Sequence, residues 1–441
     1  MLGKEKNENG AKIVITGLKQ TVFHNLPDPD PAGISNFFVA DLFHIKQTET
    51  PKQAPEPRML KPLLRMKTSM EIIWLTPDLS KLGGSEYMVS AFCRLLKSAG
   101  IHVHIITRAI HPVWKTVMDK ASGPGQVNFA EIHSDNIIDY IHTIDVITAR
   151  FTISLMQVMP LESFSFDIIR YKEYGFPVCG LEPTDLSNHC WWLPENMQEH
   201  IQFLDGLIVM NPYTEIIARN EYHFNKPIQL VSNTLMNDLY KRTDRSYPLS
   251  TFGCISRLSA EKGLEYLLGA FSLLSKRYPT ATICIWGEGD DHERLLQQTR
   301  MLGIADRVHF HGAFHPLEDS LSISDSAEIF ISSSLFEGCG IAMLEQAYRG
   351  KPLISTMTHG LKWVLGADYP GLIPIADTHS LSRMMEQTLI DPVFRQSLIT
   401  LAQQRFHSFF SPYQTYNQLI SFYTDVLQNN SYENLQYQTK P

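Results

Sequence analysis

An apolar strand, a glycine-rich turn and a helix follow one another between residues 327 and 348, and this succession constrains the fold most strongly. Residues 327–332 are a short apolar run typical of a buried strand. After the turn, apolar residues recur at helical spacing: Ile341, Leu344, Ala347 and Tyr348. A glycine turn that opens a helix after a strand exposes free backbone N–H groups, which favour a phosphate. The segment therefore predicts an α/β fold with an anion site.

Two glutamates lie in this segment, Glu337 in the turn and Glu345 inside the predicted helix. A carboxylate at Glu345 is placed to accept hydrogen bonds from sugar hydroxyls, and Glu337 would lie beside whatever the phosphate carries. A nucleotide sugar fits that arrangement. The alternative is a buried strand-to-helix turn with two solvated glutamates, because a glycine-rich turn alone is weak evidence.

Three strand ends precede this segment. Residues 252–256 form a predicted strand that is followed by the cations Arg257 and Lys262 and then by a helix. Residues 283–289 run from a strand into another glycine turn, and residues 308–312 form a further strand end. Because parallel strands present their carboxyl ends at one edge of a sheet, both cations are expected near the same ligand as Glu337.

The order of these motifs resembles a known family. The segment from about 250 to 428 is similar to the donor half of a retaining glycosyltransferase of family 4, also described as glycosyl transferases group 1. That family shows G-R-L-x-x-x-K-G, then G-x-G, then E-G-x-G-x-x-x-x-E at about these spacings. The resemblance implies the GT-B fold, an α/β architecture in which two doubly wound Rossmann-like domains face each other across a cleft.

The resemblance also implies roles for the motif residues. Arg257 and Lys262 would neutralise the donor diphosphate, Glu337 would hold the sugar as a catalytic residue, and Glu345 would bind the ribose. The implied donor-binding set is Gly84, Arg257, Lys262, Gly338, Cys339, Gly340, Ile341 and Glu345. Two cations and a helix terminus would take the charge of the diphosphate, so neither a metal nor a cofactor is predicted.

Residues 70–240 resemble the acceptor half of the same fold. Strands are predicted at 71–76, 101–107, 144–149, 177–181, 206–210 and 227–231, with helical intervals that include 87–98. Such alternation indicates a parallel, doubly wound sheet. The pair Gly83 and Gly84 matches the glycine loop of the family, where backbone amides approach the donor phosphates or the acceptor; a plain turn is the alternative.

This half departs from the family pattern at two positions. Thr148, Ala149 and Arg150 stand where many members carry His-Ala-His, and Glu182 stands where many carry a histidine near the reacting sugar. Glu182 is therefore a second candidate catalytic residue that could accept a proton from the acceptor or orient it; an interdomain hydrogen-bonding group is the alternative. Asn233 is predicted to be structural.

The domain prediction has four parts. Residues 1–69 form an extension of unassigned role with a proline-rich linker, 70–240 the acceptor domain and 241–411 the nucleotide-sugar domain. A linker spans 238–250, a last helix at 412–428 is expected to pack back on the first domain, and 429–441 is a polar tail. Three other motifs are predicted to have ordinary structural roles. Asp28-Pro29-Asp30 is predicted to form a polar turn, Trp191 and Trp192 to pack in a loop, and His309 and His311 to lie at the rim of the cleft.

Composition limits the partners and the compartment. The net charge is −8, and residues 71–240 carry 11 Lys and Arg against 19 Asp and Glu, which disfavours nucleic acid and gives no indication of contact with anionic membranes. Six cysteines without a C-x-x-C pair indicate free thiols of a reducing compartment. The N-terminus is too polar for a secretory signal, and no run of 18 apolar residues occurs, so a cytoplasmic enzyme is expected.

The resulting hypothesis is a metal-independent retaining glycosyltransferase that moves a hexosyl group from a nucleoside diphosphate sugar to a hydroxyl of a carbohydrate or glycoconjugate. A nucleotide-sugar epimerase of similar architecture and a non-catalytic binding module on this fold remain as alternatives. A nicotinamide dehydrogenase is disfavoured, because no G-x-G-x-x-G opens a first strand–helix unit.

Overall fold

The computed structural model describes residues 70–161, 167–184, 186, 197–236 and 250–438. The predictions for the extension at 1–69, for most of the linker at 238–250, and for Trp191 and Trp192 lie outside these ranges. Within the described part of the chain, none of the helices combines the length and the apolar character needed to span a bilayer.

The first domain is built on a seven-stranded sheet in which every strand pair is parallel, in the order β3-β2-β1-β4-β5-β6-β7. Most of these strands are short apolar runs buried on both faces, as expected for a parallel sheet covered by helices. The strands are β1 Glu71–Leu75, β2 His102–Thr107, β3 Val127–Glu131, β4 Leu155–Val158, β5 Val178–Glu182, β6 Gly206–Val209 and β7 Ile228–Leu230.

The second domain is built on a six-stranded parallel sheet in the order β10-β9-β8-β11-β12-β13. The strands are β8 Thr251–Ile255, β9 Thr282–Trp286, β10 Val308–Gly312, β11 Ile329–Ser332, β12 Leu353–Thr356 and β13 Leu372–Ile373. In both sheets the order reverses at the first strand, next to β1 in one and next to β8 in the other. Open α/β sheets bind ligands beyond the carboxyl ends of the strands at such a switch point.

Helices alternate with the strands and cover both faces of each sheet. Those of the first domain are α1 Gly84–Ser98, α2 Pro112–Asp119, α3 Ile137–Thr148, α4 Ile168–Lys172, α5 Met197–His200 and α6 Pro212–Asn220. Those after β8 are α7 Leu264–Ser275, α8 His292–Met301, α9 Ser320–Ser326, α10 Ile341–Tyr348, α11 His359–Leu365, α12 Thr378–Ile390, α13 Pro392–Phe409 and α14 Pro412–Gln438. Single 3₁₀ turns occur at Ile201–Phe203 and Ala260–Lys262.

The strand predicted at 144–149 is wrong. These residues end helix α3, in which Ile144 and Ile147 face the core three positions apart while Val146 between them is 40% exposed. The strand at this place in the sheet is β4, and Met159 follows it. Thr148, Ala149 and Arg150 therefore do not lie at the strand end where many family members carry His-Ala-His. The last helix also runs past residue 428 to Gln438, through most of the predicted polar tail.

Helix α14 crosses from the second domain onto the first sheet. The Tyr423 hydroxyl donates to Gln157 Oε1 on β4 at 3.2 Å, and Gln418 Oε1 accepts from Ser232 N at 2.9 Å. Where the helix passes β6, a Cβ at Gly206 would lie 2.8 Å from Phe422 Cζ and 2.8 Å from Val426 Cγ2. The helix therefore packs directly on the backbone of β6.

We expect Gly206→Ala to destabilise the protein by about 1–3 kcal/mol, because the added methyl overpacks the contact with α14. The free energy of unfolding from urea titration, followed by circular dichroism, measures the effect. Phe422→Leu removes ring atoms that the methyl would meet, so the double variant should lose less stability than the sum of the two single variants. Additive losses, or a Gly206→Ala variant as stable as the parent, would contradict this packing.

Candidate active site

Lys262 and Glu337 form an ion pair at the carboxyl ends of two neighbouring strands. Lys262 lies in the loop after β8 and Glu337 in the turn after β11. The distance from Lys262 Nζ to Glu337 Oε2 is 2.7 Å, and the two side chains are 14% and 19% exposed. Partial burial strengthens the attraction between the charges. The pair therefore joins the two strand ends at the switch point of the second sheet.

The second carboxylate oxygen of Glu337 faces the turn. Gly340 N donates to Glu337 Oε1 at 3.2 Å, and the Ser334 hydroxyl lies 3.4 Å from Oε2. Gly340 has φ +68°, a left-handed conformation that favours glycine, and helix α10 begins at the next residue, Ile341. The carboxylate thus occupies the end of a helix whose amides carry partial positive charge, next to a cation. The same groups are suited to an anionic ligand.

Arg257 lies at the same strand end but is exposed. Its side chain is 72% exposed, and Nη2 is 2.9 Å from Glu261 Oε1. The backbone carbonyl of Glu261 accepts from Leu335 N at 2.8 Å, which joins the loop after β8 to the segment before Glu337. The guanidinium therefore belongs to the loop that carries Lys262, and most of its surface is exposed.

Glu345, inside helix α10, is held by Arg349, the residue that follows the helix. Glu345 Oε1 accepts from Arg349 Nη2 at 2.9 Å and from Arg349 Nε at 3.2 Å, and Nη2 also donates to the Ser320 hydroxyl at 2.8 Å. Glu345 is 9% exposed, and burial raises the pKa of its carboxyl to about 7, although Arg349 opposes the shift. The two motif glutamates therefore have different electrostatic surroundings.

The glycine loop of the first domain meets this turn. A methyl group at Gly84 would lie 3.7 Å from Cδ1 of Ile341. Glu86, in the first turn of α1, has a pKa that burial raises and that the charge of Arg257 in the second domain lowers. The carboxyl edges of the two sheets thus face each other, with Gly84 and Glu86 opposite Ile341 and Arg257.

Glu182 ends strand β5 and is completely buried. Its Oε1 accepts from Thr184 N at 3.0 Å and from the Thr184 hydroxyl at 2.6 Å, and its Oε2 accepts from Leu161 N at 3.3 Å. Both oxygens therefore fix the turns that follow β4 and β5. These partners all belong to the first domain, so the catalytic role of Glu182 and its interdomain alternative both stay predictions.

Cys339 and the histidines of β10 have ordinary surroundings. Burial raises the pKa of the Cys339 thiol to about 12, and a hydrogen bond with Asn233 at the end of the first domain opposes the shift. The rings of His311 and Trp286 stack with centroids 4.9 Å apart. Among the described residues, no three His, Cys, Asp or Glu side chains are grouped so that they could hold a metal.

Residues 247–405 match the family model described as Glycosyl transferases group 1. The lipopolysaccharide core biosynthesis glycosyltransferase LpsE of Rhizobium meliloti is 28% identical over 145 residues, which is 33% of this chain and 41% of that protein. The mannosylfructose-phosphate synthase of Agrobacterium fabrum is 31% identical over 115 residues, 24% of this chain and 25% of that protein. The matches thus span less than half the length of these curated relatives.

Two solved structures share the fold. HepE of Anabaena, in complex with UDP and glucose, has a TM-score of 0.64 at 17% identity and covers 80% of this chain and 98% of its own. Sucrose-phosphate synthase of Thermosynechococcus elongatus has a TM-score of 0.67 at 16% identity and covers 82% and 100%. The family model matches a stretch of the second domain alone, and the structural likeness shows the GT-B fold over both domains. The two Rossmann-like sheets of that fold are those described above, which confirms the predicted fold class.

Two residues of the first domain that lie near the turn or near Arg257 were not predicted as site residues from the sequence. Asn211 follows β6, and its side chain donates to Gly338 O at 3.1 Å. The only sequence signal for Asn211 as a site residue was its position as a polar residue at the end of a parallel strand. An Asn that precedes Pro is equally typical of an ordinary helix cap. Glu86 lies three residues after Gly83, and only the structure brings it into electrostatic range of Arg257.

The raised pKa of Glu345 predicts a pH dependence of stability. Between about pH 4.5, the reference value, and about pH 7, the native state holds a proton at Glu345 that the unfolded state has released. The free energy of unfolding should therefore fall as pH rises through this window, by at most about 3 kcal/mol from this group.

Urea titrations at half-unit pH steps, for the parent and for Glu345→Gln, isolate the contribution. The difference in stability, parent minus variant, should decrease from pH 4.5 to 7 and stay level above pH 7. A difference that is level between pH 5 and 7 and decreases only as the pH falls below 4.5 would show that pairing with Arg349 outweighs burial and that the pKa of Glu345 is lowered.

Proposed function

We propose that this protein is a retaining glycosyltransferase of family 4 that transfers a hexosyl group from a nucleoside diphosphate sugar to an acceptor hydroxyl. The observation that carries the proposal is the Lys262–Glu337 pair, which stands at the switch point of the second sheet and against the amide of Gly340. A cation, a helix N-terminus and a carboxylate at one strand edge match the needs of a diphosphate joined to a sugar.

The donor would bind with its diphosphate at the start of α10. Lys262 and the exposed guanidinium of Arg257 supply positive charge, and the amides from Gly338 to Ile341 supply hydrogen bonds. As the bond between sugar and phosphate breaks, negative charge grows on the diphosphate, so these groups stabilise the transition state more than the ground state. With this set in place, we propose that catalysis needs no metal ion.

Glu337 would change partners when the donor arrives. Its two oxygens accept hydrogen bonds from Lys262 and from Gly340 N, the groups assigned to the phosphate. Replacement of the carboxylate by phosphate oxygens would release Glu337 to the sugar hydroxyls, where its charge offsets positive character on the ring. Glu345, held by Arg349, would accept hydrogen bonds from the ribose.

The acceptor hydroxyl would enter from the first domain, on the face of the sugar from which the diphosphate leaves, and retention follows from that geometry. HepE, with UDP and glucose bound, is a structural neighbour that suggests UDP as the first nucleotide to test. A carbohydrate or glycoconjugate is the proposed acceptor. A reducing, cytoplasmic location is supported by the five described cysteines, all of which are buried and free.

Donor turnover should persist in EDTA. The donor is first found by thermal melting of the protein against a panel of nucleotide sugars, since a ligand that binds only the folded state raises the melting temperature. Release of free nucleoside diphosphate is then followed with and without chelator, and the anomeric configuration of the product is read by NMR.

Loss of turnover in EDTA with recovery in Mg²⁺ or Mn²⁺ would overturn metal independence. A product of inverted anomeric configuration would overturn retention. Formation of an epimerised sugar in the absence of acceptor would favour the epimerase alternative.

Substitution by glutamine should separate the two motif glutamates. Glu337→Gln removes the charge that offsets positive character on the sugar, so single-turnover transfer should slow by about 10²-fold or more. Its donor affinity should change little or improve, because the competing carboxylate has left Lys262. Glu345→Gln should mainly weaken donor binding measured by calorimetry. A Glu337→Gln variant that retains full activity would remove Glu337 from the mechanism.

A further inference from the structure

We propose that Asn211 is a positioning residue for donor binding: its side-chain amide holds the carbonyl of Gly338 and so orients the phosphate-binding turn from the opposite domain. This inference rests on the proposed function, since it assigns the turn from Gly338 to Ile341 to the donor phosphates. It adds that the donor site is complete only while the first domain touches the second.

The orientation of the Asn211 amide is fixed by its own helix. Asn211 precedes α6 as its N-cap residue, and its Oδ1 accepts from Thr214 N at 2.9 Å and from the Thr214 hydroxyl at 3.2 Å. A backbone N–H can only donate, so the atom facing it must be the oxygen. The Nδ2 group consequently points away from α6 and donates to Gly338 O at 3.1 Å.

The contact is shielded from water. Asn211 is 0% exposed, and the carbonyl that it meets belongs to a residue 127 positions later in the chain. A buried carbonyl that loses its donor costs about 1–3 kcal/mol. One specific hydrogen bond thus joins the two domains here. If it is lost while the domains stay in contact, water does not take its place.

A second contact confines Gly338 on the same side. A Cβ built on Gly338 would lie 1.9 Å from Pro183 O and 2.9 Å from Thr184 Cα. Pro183 and Thr184 form the turn that Glu182 fixes through its hydrogen bonds with Thr184. The residue at 338 must therefore lack a side chain, and the ends of β5 and β6 meet it together.

Fixing the carbonyl of Gly338 fixes the next amide. The peptide group is planar and trans, so the N–H of Cys339 points opposite to the Gly338 carbonyl. Since that carbonyl points toward Asn211, the Cys339 N–H points away from Asn211. Rotation of this peptide would misdirect an amide that the proposed function uses for phosphate.

Asn211 does more than a helix cap requires. Ser, Thr and Asp cap helices as well as Asn does, but none of them carries an amide N–H beside the capping oxygen. Asn211→Asp keeps the size and the capping oxygen and replaces the donor with a carboxylate oxygen. At Gly338 that oxygen faces a carbonyl, so attraction becomes repulsion. Thr214→Val is the matched control, because it removes the hydroxyl bound to Oδ1 and leaves Nδ2 in place.

Calorimetric binding of UDP, GDP and ADP, each tested alone, provides the readout. At about pH 8 we expect Asn211→Asp to raise the Kd of the nucleotide that the parent binds best by about tenfold or more, roughly the loss of one hydrogen bond with added repulsion. Thr214→Val should change the Kd by less than about threefold. Acidification should restore affinity in Asn211→Asp alone, because a protonated carboxyl can donate to Gly338 O.

The outcomes are separable. If the parent binds none of the three nucleotides and no nucleotide sugar of the melting panel, the proposed function fails and this inference fails with it. If the parent binds and Asn211→Asp binds equally well, or both variants lose affinity equally with no recovery on acidification, only the positioning role is overturned. Should Asn211→Asp fail to fold, Asn211→Ser retains the cap without the interdomain donor and must show the same loss at about pH 8, without recovery in acid.

Discussion

The Lys262–Glu337 ion pair is the contact on which the arrangement of the second domain's strand ends depends. Its members lie 75 residues apart, in the loop after β8 and the turn after β11, and their distance of 2.7 Å requires both segments to converge. Neighbouring hydrogen bonds reinforce it, among them Ser333 Oγ to Lys262 O at 2.9 Å. Because the side chains are partly shielded from water, removal of one charge would leave the other poorly solvated. The pair therefore holds the two strand ends together at this edge.

The sequence predicted the second domain better than the first, and the reason is local. The β8, β11 and α10 segments each carry their cations, glycines and glutamates within a few residues of a strand end. Strand β4 gives a weak signal, because it has only four residues and one of them is Gln157. Helix α3 was mistaken for a strand because Ile144, Val146 and Ile147 are all apolar, although Val146 faces solvent. A short apolar run is compatible with either element, and the neighbouring packing decides.

The interdomain part of the candidate site was not predictable from local pattern. Gly338 appears in the sequence as one more glycine of a turn, whereas the structure requires it for the close approach of Pro183 from the other domain. Asn211 has the sequence context of a helix cap, and its second hydrogen bond depends on a residue in another domain. Glu182 was assigned to a strand end, which was correct, but its burial depends on the turns after β4 and β5 folding over it. Long-range contacts of this kind follow from topology.

The two motif glutamates show how one helix start can give carboxylates of different character. Glu345 lies within α10, shielded from water, where burial favours the neutral acid and Arg349 favours the anion. Glu337 stands in the turn, where its two oxygens accept hydrogen bonds from Lys262 Nζ and from the amide of Gly340. A diphosphate approaching this edge would replace one anion with another at the same cation and amide. Under the proposed function, positive charge at the helix start would be balanced both before and after binding, and the displaced carboxylate would lie beside the group that the phosphate carries.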